Sequence, residues 1–332
     1  MQVARWWQKQ PKGIECFLCP RRCLIAEGHY GFCNVRKNES MTLLTLAYNH
    51  PIAVNLDPIE KKPLYHFYPG SQILSIGTIG CNLACEFCQN WDISRAKPDQ
   101  AARREITPEA VIKIAQQAGS IGVAFTYNEP TIFGEYVLDI ATLAHQSGLK
   151  TVMVSNGYIT AQAIDDIYPL IDAANIDLKS FSENFYRRYC HGQLQPVLEA
   201  IERIKSIGTL LEVTTLLIPD LNDSDSEVEQ LTRWIADHLG LDTPLHFSAF
   251  HPDYHLQHLN RTPKATLDRA RMIARNQGLH YVYEGNVFSD REDATYCYNC
   301  GKLLIERDGF RVLRNNLKGN RCSCGVKIAI VQ

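Results

Sequence analysis

The sequence has no long hydrophobic run and almost no net charge. Its 34 basic and 36 acidic residues give a formal charge of −2, so no overall field attracts nucleic acid or a membrane surface. The N-terminal segment MQVARWWQKQPKG lacks the apolar centre of a signal peptide, and no segment approaches the roughly 20 apolar residues of a membrane span. These absences predict a cytoplasmic protein with neither nucleic acid nor membrane as a partner.

Cysteine, by contrast, is abundant and clustered. In a reducing compartment, clustered cysteines favour metal binding over disulfides. The lone Cys190 is interpreted as a small buried apolar residue. Eleven of the 12 cysteines therefore predict three metal sites. Their ligands are Cys16, Cys19, Cys23 and Cys33; Cys81, Cys85 and Cys88; and Cys297, Cys300, Cys322 and Cys324.

The body of the chain alternates between strand and helix. SQILSIGTIG (71–80) is an apolar, β-rich run, and TPEAVIKIAQQAG (107–119) has the N-cap, N1 proline and final glycine of a helix. Six such units and a closing strand imply parallel pairing with helices outside. The predicted fold is α/β, a partial (β/α)6 TIM-like barrel with Cys-rich metal-binding extensions at both ends. Periodicity alone does not separate it from a doubly wound sheet.

The cysteine groups also predict three domains. Residues 1–45 form an N-terminal metal-binding segment, residues 46–290 the barrel, and residues 291–332 a C-terminal module. The total length suits one large domain with small appendages.

Polar residues gather after the predicted strands, at the barrel end where β/α barrels carry their sites. Each segment is also ordinary loop composition, but their convergence with three cysteines on one rim favours a functional site. The segments are GCNLACEFC (80–88), YNEPT (127–131), SNG (155–157), DLK (177–179), IPDLND (218–223) and FHPDY (250–254).

The middle cysteines, at spacing C-x3-C-x2-C, provide three ligands where a metal usually has four. Three thiolates suit a 4Fe–4S cluster and leave one iron without a protein ligand. A small molecule can occupy such an open position, by the logic of catalytic metal sites. The alternative is a structural zinc site whose fourth ligand comes from elsewhere.

The same loop carries a family resemblance. With Phe87 before its last cysteine, the motif resembles the signature of the radical S-adenosylmethionine (radical SAM) enzymes, and the resemblance covers residues 46–290. Within that superfamily, it is closer to the activating-enzyme branch, which includes pyruvate formate-lyase activating enzyme. DPIEKKPLYHFYPG (57–70) and GCNLACEFCQNWDIS (80–94) resemble the radical SAM component of the AmmeMemoRadiSam gene set.

The resemblance implies a chemistry. The amino and carboxylate groups of SAM chelate the open iron, and one electron splits the sulfonium to methionine and a 5′-deoxyadenosyl radical, which abstracts a substrate hydrogen. Cluster potentials span roughly −700 to +450 mV, and this reduction needs the low end. An electron donor of flavodoxin or ferredoxin type is therefore an expected partner.

The resemblance also implies contacts with SAM, although it assigns no catalytic residue. YNEP has Tyr127 and Asn128 where relatives have two glycines. His251 has two open interpretations, a ribose contact or a strand-end cap. The expected contacts are Glu129 and Asn128 with the amino group, Asp177 and Lys179 with the carboxylate, Phe87 with the adenine, Ser155 and Asn156 beside them, and His251 with the ribose.

The terminal cysteine groups admit two metals each. The N-terminal spacing C-x2-C-x3-C-x9-C suits zinc or an iron–sulfur cluster. A structural role is favoured there, and an electron relay remains open. CYNCG (297–301) and CSCG (322–325) resemble a zinc ribbon or a rubredoxin-like module, with zinc preferred over iron.

Three functions follow in order of preference. The first is a radical SAM oxidoreductase acting on an unidentified small molecule, with AMMECR-type and MEMO-type proteins as partners. The second is an activase that installs a glycyl radical on a partner protein. Many such activases carry extra clusters after the radical motif, whereas WDISRAKPDQAARRE (91–105) has no cysteine. The third is a non-catalytic metal-binding interaction module.

Overall fold

The computed structural model describes residues 2–97, 104–287 and 293–332. The predicted boundary between residues 290 and 291 lies outside these ranges. The strands are β1 (Gln2–Val3), β2 (Trp7–Gln10), β3 (Gly13–Cys16), β4 (Leu24–Ile25), β5 (Arg36–Glu39), β6 (Thr42–Thr45), β7 (Ala53–Pro58), β8 (Gln72–Gly77), β9 (Gly122–Phe125), β10 (Lys150–Ser155), β11 (Ala173–Asp177), β12 (Leu210–Leu217), β13 (Leu245–Ala249), β14 (Val282–Gly285), β15 (Thr295–Tyr296), β16 (Leu303–Asp308) and β17 (Arg311–Asn315). The helices are α1 (Trp91–Ser94), α2 (Pro108–Gln117), α3 (Gly134–Gln146), α4 (Ala161–Ile167), α5 (Glu183–Phe185), α6 (Gln195–Ile207), α7 (Asp225–Leu239) and α8 (Lys264–Asn276), with a π-helical turn at Tyr186–Cys190.

The central sheet has eight strands in the order β14-β13-β12-β11-β10-β9-β8-β7. Strands β8 to β14 are parallel, and β7 pairs antiparallel with β8 at the edge. Because the parallel strands follow chain order without a reversal, their right-handed crossovers carry the helices on one face. A doubly wound sheet reverses its strand order at a switch point. The predicted partial barrel is therefore confirmed, and the doubly wound alternative is excluded.

Helix α2 shows how local sequence positions these elements. Thr107 caps its N-terminus by accepting a hydrogen bond from the backbone N–H of Ala110 at 3.3 Å, and Pro108 occupies the first turn. The helix buries Val111 and Ile112 toward the core, as expected for an amphipathic helix that covers a sheet. Helices of the same kind cover the other parallel strands. Because these strands are parallel, their carboxyl ends lie at one rim of the barrel.

The N-terminal segment forms two three-stranded antiparallel sheets, β2-β3-β4 and β1-β6-β5, which lie against the barrel. Trp6 is buried against Gly134, and its indole N–H donates to Asp166 at 2.8 Å. Arg36 forms a buried ion pair with Glu135 at 2.5 Å. This segment is therefore fixed to helices α3 and α4 by buried contacts.

The segment at 57–70 closes the N-terminal end of the barrel. The carbonyl of Pro63 accepts from Asn175 at 2.7 Å, and the buried carboxylate of Glu212 accepts from the backbone N–H groups of Tyr65 and His66 at 3.1 and 2.7 Å. Asn175 and Glu212 lie on neighbouring strands in register. These bonds explain how the carboxylate of Glu212 is accommodated inside a buried strand.

The C-terminal residues add the three-stranded antiparallel sheet β15-β16-β17. Buried Arg307 donates to the carbonyl of Tyr65 at 2.8 Å and to the hydroxyl of Thr295 at 2.9 Å. A backbone pair then joins the tail to the barrel, since Tyr68 N–H donates to the Val331 carbonyl at 2.7 Å. No helix within the described part of the chain is long and apolar enough to cross a membrane.

Candidate active site

The three middle cysteines lie where the sequence places them, at the carboxyl end of the barrel strands. Cys81, Cys85 and Cys88 line a cavity of about 220 Å³. Their loop is bonded to the π-helical turn that follows β11, because the N–H of Ala84 donates to the carbonyl of Cys190 at 3.1 Å. The loop therefore presents three thiols to one open space.

The donor set fits a polynuclear cluster. Hydrogen bonding with the neighbouring Cys190 thiol and burial raise the pKa of Cys85 well above its usual value, while burial raises that of Cys81. Buried thiols of this kind become thiolates when a metal supplies positive charge. In the described ranges, no three ligand atoms of this loop lie within 4.8 Å of one another. The spacing suits separate irons of one cluster better than a single ion.

Five of the residues expected to contact SAM border this cavity, namely Phe87, Asn128, Asn156, Asp177 and Lys179. Lys179 donates to the carboxylate of Asp177 at 2.9 Å, and its ammonium lies 5.8 Å from the ring of Phe87. Burial alone would lower the pKa of Lys179, but the charge of Asp177 and the thiols raises it well above its usual value. The cavity wall thus carries a fixed positive charge beside a carboxylate.

Asn128 also borders the cavity, but its side chain positions the cysteine loop. Its amide N–H groups donate to the Thr78 hydroxyl at 3.1 Å and to the Gly80 carbonyl at 2.8 Å. The preceding Tyr127 has φ of +72°, a conformation that glycine adopts most easily. Its hydroxyl donates to Asp57 at 2.7 Å. Relatives have glycine at this position. Here Tyr127 adopts the same left-handed backbone conformation, and its hydrogen bond to Asp57 holds it there.

Glu129 and Ser155 do not border the cavity, and their expected contacts with SAM stay a prediction. Glu129 is fully buried, and its carboxylate accepts from the Ser155 hydroxyl at 2.7 Å and from the Asn156 N–H at 2.8 Å. Burial raises the pKa of Glu129. The Asn156 amide in turn lies 3.7 Å from the sulfur of Cys81. Glu129 therefore holds Asn156 in place from behind the cavity wall, and Asn156 in turn contacts Cys81.

Glu129→Gln is expected to destabilise the protein by about 2 kcal/mol, because the new amide N–H₂ would face the N–H of Asn156 and leave a buried donor unsatisfied. We also expect slower SAM cleavage, since Asn156 and Cys81 would shift. Denaturant unfolding and cleavage rates measure the two effects. The matched control is Glu229→Gln on the exposed face of α7. Equal stability of the two variants would contradict the positioning role.

His251 lies in a second, larger cavity of about 940 Å³, beside the first one. Its Nδ1 is 2.7 Å from the side-chain nitrogen of Gln89, which borders both cavities, as does Asn286. The expected ribose contact of His251 stays a prediction. The two cavities meet at Gln89 and Asn286.

Sequence reasoning missed several cavity residues. Thr214, Leu216 and Ser248 point inward from β12 and β13 because alternate residues of a strand share a face, and this period was a usable signal. Gln89 and Asn286 had no signal, since their loops meet only in the folded chain. The missed residues are Gln89, Asn90, Ser94, Thr214, Leu216, Ser248 and Asn286.

The C-terminal cysteines form a different kind of site. Cys297 and Cys324 have sulfurs 3.7 Å apart, as do Cys300 and Cys322. All four sulfurs lie within 4.8 Å of one another. A tetrahedral ion with metal–sulfur bonds of about 2.3 Å separates its sulfurs by about 3.8 Å. This group can therefore hold a single metal ion.

Comparison with known proteins gives consistent results. The model of the radical SAM superfamily matches residues 75–235. The uncharacterized protein MJ0808 of Methanocaldococcus jannaschii is 42% identical over 335 residues, which cover 100% of both chains. The pyruvate formate-lyase-activating enzyme of Clostridium pasteurianum is 23% identical over 163 residues, covering 47% of this chain and 66% of its own. A solved radical SAM methyltransferase from Sphaerobacter thermophilus shares the fold, with a TM-score of 0.52 at 17% identity over 71% of each chain.

Proposed function

The chain belongs to the radical SAM superfamily, whose members are enzymes, and we propose that it initiates radical chemistry on a small-molecule substrate. Cys81, Cys85 and Cys88 would hold the 4Fe–4S cluster that the family implies. When bound, this cluster supplies the electron that splits SAM to methionine and a 5′-deoxyadenosyl radical, which removes a hydrogen atom from the substrate. The electron would come from a flavodoxin-type or ferredoxin-type donor.

The chain's own residues would bind and orient SAM. Lys179 offers a positive charge to the carboxylate of the methionine part, and Asp177 holds that ammonium in place at 2.9 Å. Phe87, which is 3% exposed, supplies an apolar surface beside them. Asn128, Glu129 and Asn156 keep the cysteine loop fixed, so that its three thiols line the cavity.

The observation that carries the small-molecule proposal is the 940 Å³ cavity beside the cysteine cavity. One wall is the β16–β17 hairpin, with Asp308, Gly309 and Phe310 at its tip. The lining carries both cationic and acidic side chains, among them Arg261 and Asp293. A walled cavity with charges of both signs suits a polar metabolite better than a polypeptide loop.

The identity of the gene set belongs to the same proposal. The strings at 57–70 and 80–94 support an assignment to the AmmeMemoRadiSam system, with AMMECR-type and MEMO-type proteins as partners. The runner-up is a glycyl-radical activase, which the similarity to pyruvate formate-lyase-activating enzyme favours.

The test begins with anaerobic protein reconstituted with iron and sulfide, incubated with SAM and dithionite. We expect 5′-deoxyadenosine by mass spectrometry, formed only with reductant, and we expect a deproteinised metabolite extract to increase it. An organic radical in the electron paramagnetic resonance (EPR) spectrum of an added AMMECR-type or MEMO-type protein would instead support the activase. No 5′-deoxyadenosine under any of these conditions, with the cluster verified by iron count, would contradict both functions.

A further inference from the structure

The four N-terminal cysteines surround a cavity of their own. Cys16, Cys19, Cys23 and Cys33 all line one small cavity in the N-terminal segment. Cys16 and Cys33 are buried, and Cys19 and Cys23 are half-buried. Because all four thiols line the same cavity, they can bind one metal centre together.

The sulfur separations distinguish this site from the C-terminal one. Within residues 2–97, 104–287 and 293–332, only the C-terminal cysteines bring three or more ligand atoms within 4.8 Å of one another. Neither the N-terminal thiols nor those of the barrel loop form such a group. A single tetrahedral ion draws its sulfurs to about 3.8 Å, whereas each cysteine of a 4Fe–4S cluster binds a different iron. In this respect the N-terminal thiols are like those of the barrel loop and unlike the C-terminal group, which can hold a single ion.

The charge around the cavity is consistent with an anionic occupant. Arg36, which is 1% exposed, also lines the cavity, and its guanidinium lies 3.9 Å from the sulfur of Cys16. Its single charge is shared with Glu135. A buried cation beside four thiolates lowers the cost of keeping the set anionic.

The cavity directly adjoins the barrel cysteine loop. Asn82 lines it, and the next residue back along the chain is Cys81 of the active cavity. On the other side, Gly80 approaches Cys33 so closely that a Cβ would lie 2.3 Å from the Cys33 carbonyl oxygen. Arg21 also lines the cavity and donates to the Asn82 carbonyl. Both flanks of Cys81 therefore contact the N-terminal site.

We propose that Cys16, Cys19, Cys23 and Cys33 hold a second 4Fe–4S cluster that passes electrons to the barrel cluster across the Cys33–Gly80–Cys81 contact. This relay rests on the proposed radical SAM function. A reduced donor protein of the ferredoxin or flavodoxin class loses one electron to the N-terminal cluster. That cluster is reoxidised when the electron moves to the barrel cluster, one electron for each SAM cleaved.

The metal content tests the site independently of activity. In a variant with Cys81, Cys85 and Cys88 all changed to alanine, reconstitution should leave about four iron and about four acid-labile sulfide per chain. If this variant does not fold, the sulfide content of the reconstituted wild type is measured instead. Two clusters would give about eight acid-labile sulfides per chain, and one cluster about four. The sulfide content is more informative than the iron content, because a single iron ion in the C-terminal site would raise the iron count but not the sulfide count. Zinc without sulfide at the N-terminal site would overturn the proposal.

The relay is tested with Cys23→Ser, a conservative change at a half-buried ligand. Dithionite is small enough to reach the barrel cluster directly, whereas a protein donor would need the relay. We expect the ratio of donor-driven to dithionite-driven SAM cleavage to fall at least about tenfold. The neighbouring exposed Leu24→Ser is the matched control, with the ratio unchanged. An unchanged ratio in Cys23→Ser with its N-terminal sulfide lost would overturn the relay.

Failure of the relay and failure of the proposed function give different results. If the wild type cleaves no SAM with either reductant, the proposed function fails, while the sulfide count still decides whether the second cluster exists. If wild-type cleavage is normal and the sulfide count corresponds to one cluster, only the further inference fails.

Discussion

Cys85→Ala is expected to abolish SAM cleavage, with a loss of more than about a thousandfold. Cys85 is one of three thiols in the active cavity, and a cluster held by two thiolates lacks a ligand for a second iron. Reduced binding of the cluster and lost cleavage should therefore occur together. Iron and sulfide content, the visible absorption spectrum and 5′-deoxyadenosine formation measure the three effects on one preparation.

Cys190 supplies the control for this experiment. Its thiol is fully buried beside Cys85, yet it does not line the cavity. Cys190→Ala should keep the full barrel cluster. The double variant Cys85→Ala/Cys190→Ala excludes the possibility that Cys190 takes over as a ligand. Full SAM cleavage by the double variant would remove Cys85 from the site assignment.

Cys322→Ser is expected to unfold the C-terminal module by removing one of four thiols that can hold a single ion. Metal binding contributes about 10–16 kcal/mol to folding in small zinc domains. Since Cys322 is buried in the same apolar cluster as Tyr65 and Tyr281, its loss should also loosen the contact with the barrel. We expect loss of metal, faster proteolysis after residue 293 and a thermal midpoint lower by about 10 °C or more.

The control here is Ser323→Ala, one residue away, whose exposed side chain points to Lys302 and not to the metal. Elemental analysis of the wild type identifies the metal, with zinc expected and iron as the alternative. If Cys322→Ser stays folded with an intact barrel cluster but loses donor-driven cleavage, the module is an electron carrier rather than a structural unit.

Much of the fold follows from the sequence because strand and helix alternate with clear signals. Helix α2 (Pro108–Gln117) lies within the predicted 107–119, and strand β8 (Gln72–Gly77) lies within the predicted 71–80. The antiparallel strand β7 was not predicted, because its pairing with β8 is a long-range choice that local pattern does not encode. The N-terminal sheets were missed for a similar reason, since their strands are short and two-residue strands carry little periodicity.

The site was predicted less completely, and the reason is geometric. Motifs place residues on a rim, but they do not say whether a side chain faces the cavity or the wall behind it. Asn128 borders the cavity and Glu129 lies behind it, although they are neighbours in one motif. The second cavity was invisible to sequence reasoning, because it forms between β13, β14 and the distant hairpin tip at Phe310.

The backbone pair between Tyr68 and Val331 has a consequence for how the chain matures during synthesis. His66 also bonds the carbonyl of Ala329, a partner 263 positions away. The N-terminal end of the barrel therefore stays incomplete until residues 329–331 have left the ribosome. Contacts between residues so far apart in the chain also form slowly. Until then the tail does not hold in place the backbone N–H groups of Tyr65 and His66, which donate to the buried carboxylate of Glu212. Assembly of the cofactor sites is expected to follow synthesis of residues 329–331 rather than precede it.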